Sequence, residues 1–207
     1  MTRPTWAGHQ VGGLPDQAIN PELGLIENPL SGERIVIRHT GAESGGMVLA
    51  WELLLAPGGR VPSAHTHPSQ QERFTMLEGR MRFLVDRRKV TVGPGQTVIV
   101  PPGTVHHFAN AGPGIARVAV ETRPAFDMEA MFIVAAALAQ DQHASRRRVP
   151  RLVDLGLFLD EFKAEVSAPY LAPLVRFVAK AMACLARSGR FDTHYRHLRD
   201  VAAHHAA

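Results

Sequence analysis

The chain has 207 residues, of which 45% are hydrophobic and 20% are charged, and this balance is typical of a globular protein rather than a disordered one. Lysine and arginine number 23 against 19 aspartate and glutamate residues, and the small excess is spread along the chain, which argues against a nucleic-acid-binding module. Cys184 is the only cysteine, so an intrachain disulfide and a cysteine-based metal site are both excluded.

Residues 1–30 are predicted to form an N-terminal arm and a first strand. The arm is rich in glycine, proline, threonine and glutamine without sustained periodicity, which is typical of an irregular segment. It lacks the apolar core of a signal peptide, so we expect a cytoplasmic protein. A turn sequence at residues 28–32 separates two short β-type runs and predicts a hairpin that enters a sheet.

Residues 31–124 are predicted to form an antiparallel β-sandwich or barrel. Nine or ten short β-type runs are separated by glycine and proline turns, with no helical pattern between them. The runs ERFTMLEG and RMRFLVDRRKV flank Gly79 and suggest a second hairpin. Glu72, Phe74 and Met76 share one face of the first of these runs, so the carboxylate is expected to point into an enclosed interior.

Residues 125–207 are predicted to form a C-terminal helical extension. The segment FDMEAMFIVAAALAQ is alanine-rich, and two later segments place apolar residues at helical spacing. The first of these stripes comprises Leu152, Leu155, Leu159, Phe162 and Val166. We expect the helices to pack on the barrel or on a partner subunit, with attachment to a membrane surface as the alternative.

The last apolar segment, residues 170–187, is not predicted to cross a membrane. Arg176 and Lys180 interrupt it, and it is shorter than the roughly 20 apolar residues that a span requires. Cys184 lies in its stretch AMACLA, which predicts a buried, inert thiol. The arginines at 146–148 and at 151, and the histidines of the tail, residues 191–207, are expected to be solvated.

Four side chains in the middle of the chain have the spacing of a metal site. His65 and His67 are two residues apart, so on an extended strand both imidazoles leave the same face. Glu72 opens the next apolar run, and His106 follows a Pro-Pro-Gly turn. Three imidazoles and a carboxylate suit one divalent transition metal ion such as Fe, Mn, Ni or Zn, with Co and Cu also compatible, and do not suit Ca or Mg. A single histidine could equally be structural; the combination indicates the metal.

The spacing around these residues resembles the two motifs of the cupin superfamily over about residues 45–122. Both segments match without a departure, through Gly59, His65, His67, Glu72 and Gly79, and then through Gly95, Pro101, Gly103, His106 and Asn110. The resemblance implies an antiparallel double-stranded β-helix, or jelly-roll barrel, with His65, His67, Glu72 and His106 as inward-pointing ligands. Gly103 and Asn110 are interpreted as turn residues, and His107 is expected on the opposite face from His106.

Three functions remain open for such a site. The leading hypothesis is a dioxygenase resembling those of the quercetinase type, which would act on an enol, diketone or phenolic substrate chelated to the metal. Glu72 would then be both a ligand and the base that takes a substrate proton. A nonoxidative isomerase, decarboxylase or lyase would need a further acid or base inside the barrel, and the strands offer Glu52, Arg82, Arg117 and Glu121.

The third hypothesis is a noncatalytic, metal-dependent binder or sensor of a small molecule. The C-terminal helices lack a recognisable DNA-binding helix-turn-helix, so the expected partner is a small-molecule substrate and not a nucleic acid. Exposed sheet edges and the apolar stripes of the helices predict a homodimer.

Overall fold

The computed structural model describes residues 25–61, 64–144 and 151–169, together with residues 181, 184, 195–197 and 199–200. All of the strands lie within the first two ranges. The nine strands are β1 (Ile26–Asn28), β2 (Glu33–His39), β3 (Leu49–Leu55), β4 (Gln71–Glu78), β5 (Met81–Val85), β6 (Arg88–Val92), β7 (Thr97–Val100), β8 (His106–Asn110) and β9 (Ala116–Arg123).

Two antiparallel sheets form the barrel. The larger sheet has the strand order β1-β2-β3-β9-β4-β7, and the smaller has the order β6-β5-β8. Arg60 and His65 extend the smaller sheet, because isolated antiparallel bridges pair Arg60 with Ala109 and His65 with His106. The predicted fold class is confirmed: the protein is mainly β, a jelly-roll barrel with a C-terminal helical extension.

Apolar side chains at alternate positions along the strands of both sheets fill the barrel interior. Phe74 of β4, Phe83 of β5 and Phe108 of β8 meet with ring centroids 5.1 to 5.6 Å apart, and all three side chains are buried. Such tilted aromatic contacts add to the stabilisation that burial itself provides. Phe74 also packs next to His106, with ring centroids 6.5 Å apart, so the aromatic group adjoins the predicted metal ligands.

The predicted hairpin at residues 28–32 is confirmed, whereas the hairpin around Gly79 is wrong. β4 pairs with β7 and β9, while β5 pairs with β6 and β8. Gly79 therefore carries the chain from one sheet to the other. Its φ is +76°, and a Cβ at this position would lie 2.7 Å from the Ile115 carbonyl oxygen, so a residue with a side chain would be strained there.

The run RMRFLVDRRKV is two strands rather than one. Asp86 and Arg87 have φ values of 43° and 66° and form the tight turn between β5 and β6. Two successive residues with positive φ are typical of the two-residue turn that matches the twist of a hairpin.

Two helices of the extension lie in the described residues: α1 (Met128–Ala144) and α2 (Leu152–Glu161). The helix predicted from FDMEAMFIVAAALAQ is confirmed as α1. α2 ends before two members of the predicted stripe, Phe162 and Val166, and Leu152 is 46% exposed. The stripe therefore describes this segment only in part. Among the described residues, no helix combines the length and the apolar character that a membrane span requires.

α1 is attached to the barrel by an aromatic contact. The rings of Phe132 on α1 and Trp51 on β3 meet edge to face, with centroids 4.7 Å apart. The Trp51 indole also donates a buried hydrogen bond to the Thr122 hydroxyl at 3.1 Å, which fixes the orientation of the ring. α1 thus packs on the face of the larger sheet that carries Trp51.

Several predictions concern residues outside those described. These are the N-terminal arm, the helix at residues 170–187, the arginines at 146–148 and most of the histidine-rich tail. The thiol of Cys184 is exposed, so the prediction of a buried cysteine is wrong. The three predicted domain ranges, 1–30, 31–124 and 125–207, remain predictions.

Candidate metal centre

His65 and His106 face each other across a pair of extended segments. The His65 amide donates to the His106 carbonyl oxygen at 3.0 Å, and the His106 amide donates to the His65 carbonyl oxygen at 2.9 Å. His67 follows two residues after His65, so its side chain leaves the same face. The segment around His65 is held by isolated bridges, and it is not a regular strand.

The three imidazoles converge as the spacing predicts. Their ring centroids lie 4.4 to 5.3 Å apart, and one nitrogen from each ring lies within 4.8 Å of the others. Glu72 of β4 completes the group, since its Oε2 atom lies 3.2 Å from His67 Nε2 and 3.1 Å from His106 Nε2. The structure therefore brings all four predicted ligands together, and we call them the metal cluster.

Main-chain carbonyl groups hold two of the imidazoles in place. His67 Nδ1 lies 2.5 Å from the Glu165 carbonyl oxygen, and His106 Nδ1 lies 3.1 Å from the Thr104 carbonyl oxygen. A carbonyl oxygen only accepts hydrogen bonds, so each Nδ1 is the donor. The Nε2 atoms of both rings are consequently the ones directed at the cluster, as in metal sites where an outer contact fixes the ligand tautomer.

Electrostatic coupling within the cluster is strong because its groups are buried. Burial alone would raise the pKa of the Glu72 carboxyl, but the charge of His67, which lies close to it, and a hydrogen bond from His106 hold that pKa well below its usual range. Burial alone would lower the pKa of His67, but Glu72 and the Glu165 carbonyl raise it. Each partner thus favours the charged form of the other.

The residues present fit a divalent transition metal ion. Three nitrogen donors and one carboxylate are gathered on the barrel interior, where His67, Glu72 and His106 are each at most 3% exposed. The His67 Nε2 atom is buried without a hydrogen-bond partner of acceptable geometry, although the cost of leaving such a group unsatisfied is about 1–3 kcal/mol. A metal ion would satisfy it, and the mixed nitrogen and oxygen donor set suits a transition metal.

Three members of the metal cluster, His65, His67 and Glu72, form part of the wall of an apolar cavity of about 290 Å³. The barrel contributes side chains such as Ile35, Trp51 and Phe108, while α1 and α2 contribute Phe132 and Phe158. The C-terminal extension therefore builds one side of the chamber into which the cluster faces. A cavity with apolar walls and a few polar groups is the usual form of a small-molecule site.

Four charged residues that the sequence offered as further acids or bases do not line this cavity. Glu52 lies on the opposite face of β3 from Trp51. Burial would raise its pKa, but hydrogen bonds from Arg117 and Arg38 lower it. Arg82 is exposed, and Glu121 accepts a hydrogen bond from Arg123 at 3.1 Å near the surface.

Asn110, interpreted from the sequence as a turn residue, is the last residue of β8. The Asn110 side chain donates to the Leu55, Ala56 and Gly114 carbonyl oxygens and accepts from the Gly112 amide. It therefore links the end of β3 to the segment that follows β8. His107 alternates with two buried neighbours on β8 and is itself half-buried. Its side chain accordingly belongs to the face opposite His106.

Two functional residues escaped the sequence interpretation. Glu33 lines the cavity, and its alternation with Ile35 and Ile37 on β2 was the available signal, since all three share one parity. Glu165 contacts the cluster through its carbonyl oxygen. A main-chain contact carries no signal in residue type, so no sequence pattern could have revealed it.

Comparison with known proteins agrees with the barrel and covers part of the chain. Residues 51–121 match the family model described as the Cupin domain. "Polyketide synthase CurC" of Streptomyces cyaneus is 33% identical over 84 residues, which are 41% of this chain and 52% of that protein. "Germin-like protein subfamily T member 3" of Arabidopsis thaliana is 28% identical over 103 residues, which are 47% of this chain and 42% of that protein. The chain thus spans about half the length of the curated relatives it matches.

Solved structures with similar folds include KdgF from a Halomonas species. Its sequence identity is 19% and its TM-score 0.45, and the match covers 53% of this chain and 94% of that one. The oxalate decarboxylase of Lactobacillus farciminis has 17% identity and a TM-score of 0.45, and the match covers 51% of this chain and 32% of the other.

Proposed function

We propose that the barrel of this chain, which matches the Cupin domain model over residues 51–121, is a cupin barrel, and that its metal cluster is the active centre of a metal-dependent enzyme that acts on a small oxygenated substrate. One observation carries the proposal: three histidines and a glutamate converge at one place, and His65, His67 and Glu72 of this group line a mostly apolar cavity. Buried polar groups that converge in an apolar chamber are the usual features of a catalytic site.

In this proposal His65, His67, Glu72 and His106 hold one divalent transition metal ion, with Fe, Mn, Ni and Zn as candidates. The ion would supply Lewis acidity toward a chelating enol, diketone or phenol and, if it is redox-active, electrons for dioxygen. The protein would supply the remaining requirements. The apolar walls would bind the body of the substrate and exclude water, which strengthens the electrostatic interactions at the cluster.

Glu72 is proposed as both a ligand and the base of the reaction. Its carboxylate lies between His67 and His106 and lines the cavity, so a bound hydroxyl would come within reach of it. The imidazoles on either side would stabilise the carboxylate until the proton is transferred. The proposed reaction class is dioxygenation, in which both oxygen atoms of dioxygen enter the product.

The nonoxidative isomerase, decarboxylase or lyase hypothesis is less well supported. It requires a further acid or base near the metal. Glu52, Arg82, Arg117 and Glu121 are absent from the described cavity lining, and Glu33, which does line the cavity, is six strand positions from Glu72. A noncatalytic binder would use the same cluster without turnover. The three hypotheses therefore differ in what happens after the substrate has bound.

The decisive experiment measures metal content and oxygen uptake together. Protein purified without added metal is analysed for its metal content, then loaded anaerobically with Fe(II), Mn(II), Ni(II) or Zn(II) and mixed with flavonols, diketones or catechols. We expect oxygen uptake with a redox-active metal and none with zinc. Turnover with zinc and no uptake with any redox metal would refute the dioxygenase; binding without turnover under every condition would favour the binder.

Glu72→Gln tests the base separately from the ligand. The amide retains an oxygen donor, so metal affinity should fall modestly, whereas turnover should fall by at least about 100-fold because general base catalysis typically contributes 10²–10⁴-fold. Metal titration and oxygen uptake measure the two effects. Unchanged turnover in the metal-loaded variant would exclude Glu72 as the base.

A further inference from the structure

A second polar group lies in the cavity apart from the metal cluster. Most of the described lining residues are apolar, and the polar side chains outside the cluster are mainly Asn28 and Glu33, which are opposite each other on β1 and β2. The Asn28 side-chain oxygen accepts hydrogen bonds from the amides of Leu30 and Ser31, so it stabilises the turn. Glu33, the first residue of β2 after this turn, is thus the ionisable side chain outside the metal cluster among the described lining residues.

The strand register places Glu33 and the metal cluster at different levels of the barrel. Glu33 lies opposite Leu55 on β3. Glu72 lies opposite Thr122 on β9, and Thr122 lies opposite Leu49 on β3. The backbone positions of Glu33 and Glu72 therefore differ by six residues along β3. A molecule that touches both side chains must extend along the cavity.

Glu33 is held by one neighbour and has the properties of a neutral donor. The Ser31 hydroxyl donates to Glu33 Oε2 at 2.5 Å, and Ser31 is 3% exposed. Burial raises the pKa of Glu33, and the Ser31 hydroxyl offsets that rise only in part. No lysine or arginine is among the described lining residues, and an ionised carboxylate in apolar surroundings is costly without a partner. With Oε2 accepting from Ser31, Oε1 is the oxygen that can carry the proton.

We propose that Glu33 is a specificity-determining residue that donates a hydrogen bond to an oxygen atom at the end of the substrate remote from the metal cluster. The inference rests on the proposed function, because it takes the other end of the substrate to be anchored at the cluster. The substrate is then an elongated, mainly apolar molecule with a chelating oxygen group at one end and a hydroxyl or carbonyl oxygen at the other. Ser31 orients the carboxyl and is a positioning residue.

Binding of matched flavonols tests this assignment. Zinc-loaded protein, kept anaerobic to prevent turnover, is titrated by fluorescence with 3-hydroxyflavone and with its 4′-hydroxy derivative. We expect wild type to prefer the hydroxylated probe by about 3- to 10-fold, the range of one neutral hydrogen bond. Glu33→Gln, whose amide still donates, should keep much of this preference, and Glu33→Leu should bind the two probes with equal affinity.

Two binding results would overturn the inference. One is an equal preference in wild type and Glu33→Leu. The other is a Glu33-dependent preference for a 4′-aminomethyl derivative, which is cationic and would show that Glu33 acts as an ionised acceptor. If neither flavonol binds in a zinc-dependent way, the proposed substrate class is refuted. The protonation state of Glu33, measured without a ligand, then decides the inference.

Infrared spectroscopy measures that protonation without any ligand. The difference spectrum between wild type and Glu33→Gln at neutral pH should contain the carbonyl band of a protonated carboxyl group. A carboxylate band in its place would refute the neutral donor. Circular dichroism of the three proteins establishes that each has the same fold.

Discussion

At the scale of single residues, neighbouring histidines have different functions because strand geometry separates them. His106 lies on the buried face of β8 and contacts Glu72, whereas His107 occupies the other face of the strand. The sequence predicted this division from the alternation of side chains along a strand. It also predicted that Glu72, Phe74 and Met76 share a buried face, as they do.

The two histidines provide a matched test of the metal site. His106→Ala removes a proposed ligand, and we expect metal affinity to fall by more than about 100-fold, since loss of an outer contact to a ligand already costs about 10–100-fold. His107→Ala should leave the affinity within about twofold. Competition with a metal-binding dye measures both values, and equal losses in the two variants would contradict the assignment of His106.

Glu33 predicts a specific dependence of stability on pH. Its pKa is raised above the ordinary value of 4.5 in the folded protein, so the folded state binds the proton more tightly than the unfolded state. The stabilisation from the protonated group is complete below the unfolded pKa and is lost as the pH rises through the folded pKa. Glu33→Gln lacks this loss.

Urea unfolding from about pH 4 to about pH 8 measures the difference in stability between the two proteins, over the range that a raised glutamate pKa spans. We expect wild type to lose stability relative to Glu33→Gln as the pH rises above about 4.5. A difference that is constant with pH would show that the folded and unfolded pKa values are equal.

At the scale of secondary-structure elements, the segment after α2 connects the helical extension to the metal cluster. Thr66 and Ser167 form an isolated antiparallel bridge, with the Ser167 amide donating to the Thr66 carbonyl oxygen at 2.8 Å. Two residues earlier, the Glu165 carbonyl oxygen accepts from His67. The orientation of one proposed ligand therefore depends on chain that lies outside residues 51–121.

Ser167→Pro tests this connection. Proline removes the amide that donates to Thr66, so the Glu165 carbonyl should shift, and metal affinity should fall by about 10- to 100-fold, as expected when an outer contact to a ligand is lost. Ser167→Ala keeps the amide and should retain the wild-type affinity. Metal titration of both variants measures the effect, with thermal unfolding as the check on folding; equal affinities would show that the bridge is not needed.

Strands and helices were predictable where apolar residues recur at a regular spacing. They were less predictable where the chain passes from one sheet to the other. A turn signal at Gly79 indicates a reversal, but the residues there do not specify whether the next strand joins the same sheet. The length of α2 was overestimated, because Phe162 and Val166 keep apolar spacing after the helix has ended. In both places the tertiary contacts determine the outcome.

At the scale of the whole molecule, the barrel and the extension share one cavity. The metal cluster was predictable from four residue positions, but the walls supplied by α1 and α2 were not, because helical spacing shows which face is apolar and not what covers it. Substrate size is therefore set by both parts of the chain. The cytoplasmic location stays a prediction.

The predicted homodimer is testable in solution. The larger sheet ends in β7, where Ile99 is 53% exposed, and nearby Leu77 on β4 is 42% exposed. An uncovered edge strand with apolar side chains is commonly covered by another chain. Light scattering at micromolar concentration should give twice the mass of one chain, and a monomer would refute the prediction. Ile99→Lys should weaken the dimer if this edge contributes.

The paired amides of His65 and His106 have a practical consequence for following the centre. Each donates its hydrogen to the carbonyl of the other, so opening this one bridge exposes both amides and separates two proposed ligands at the same time. Hydrogen exchange at these two positions therefore reports occupancy without a substrate, a chromophore or turnover: a bound ion should slow both rates together, and by more than it slows locally opening amides of distant strands.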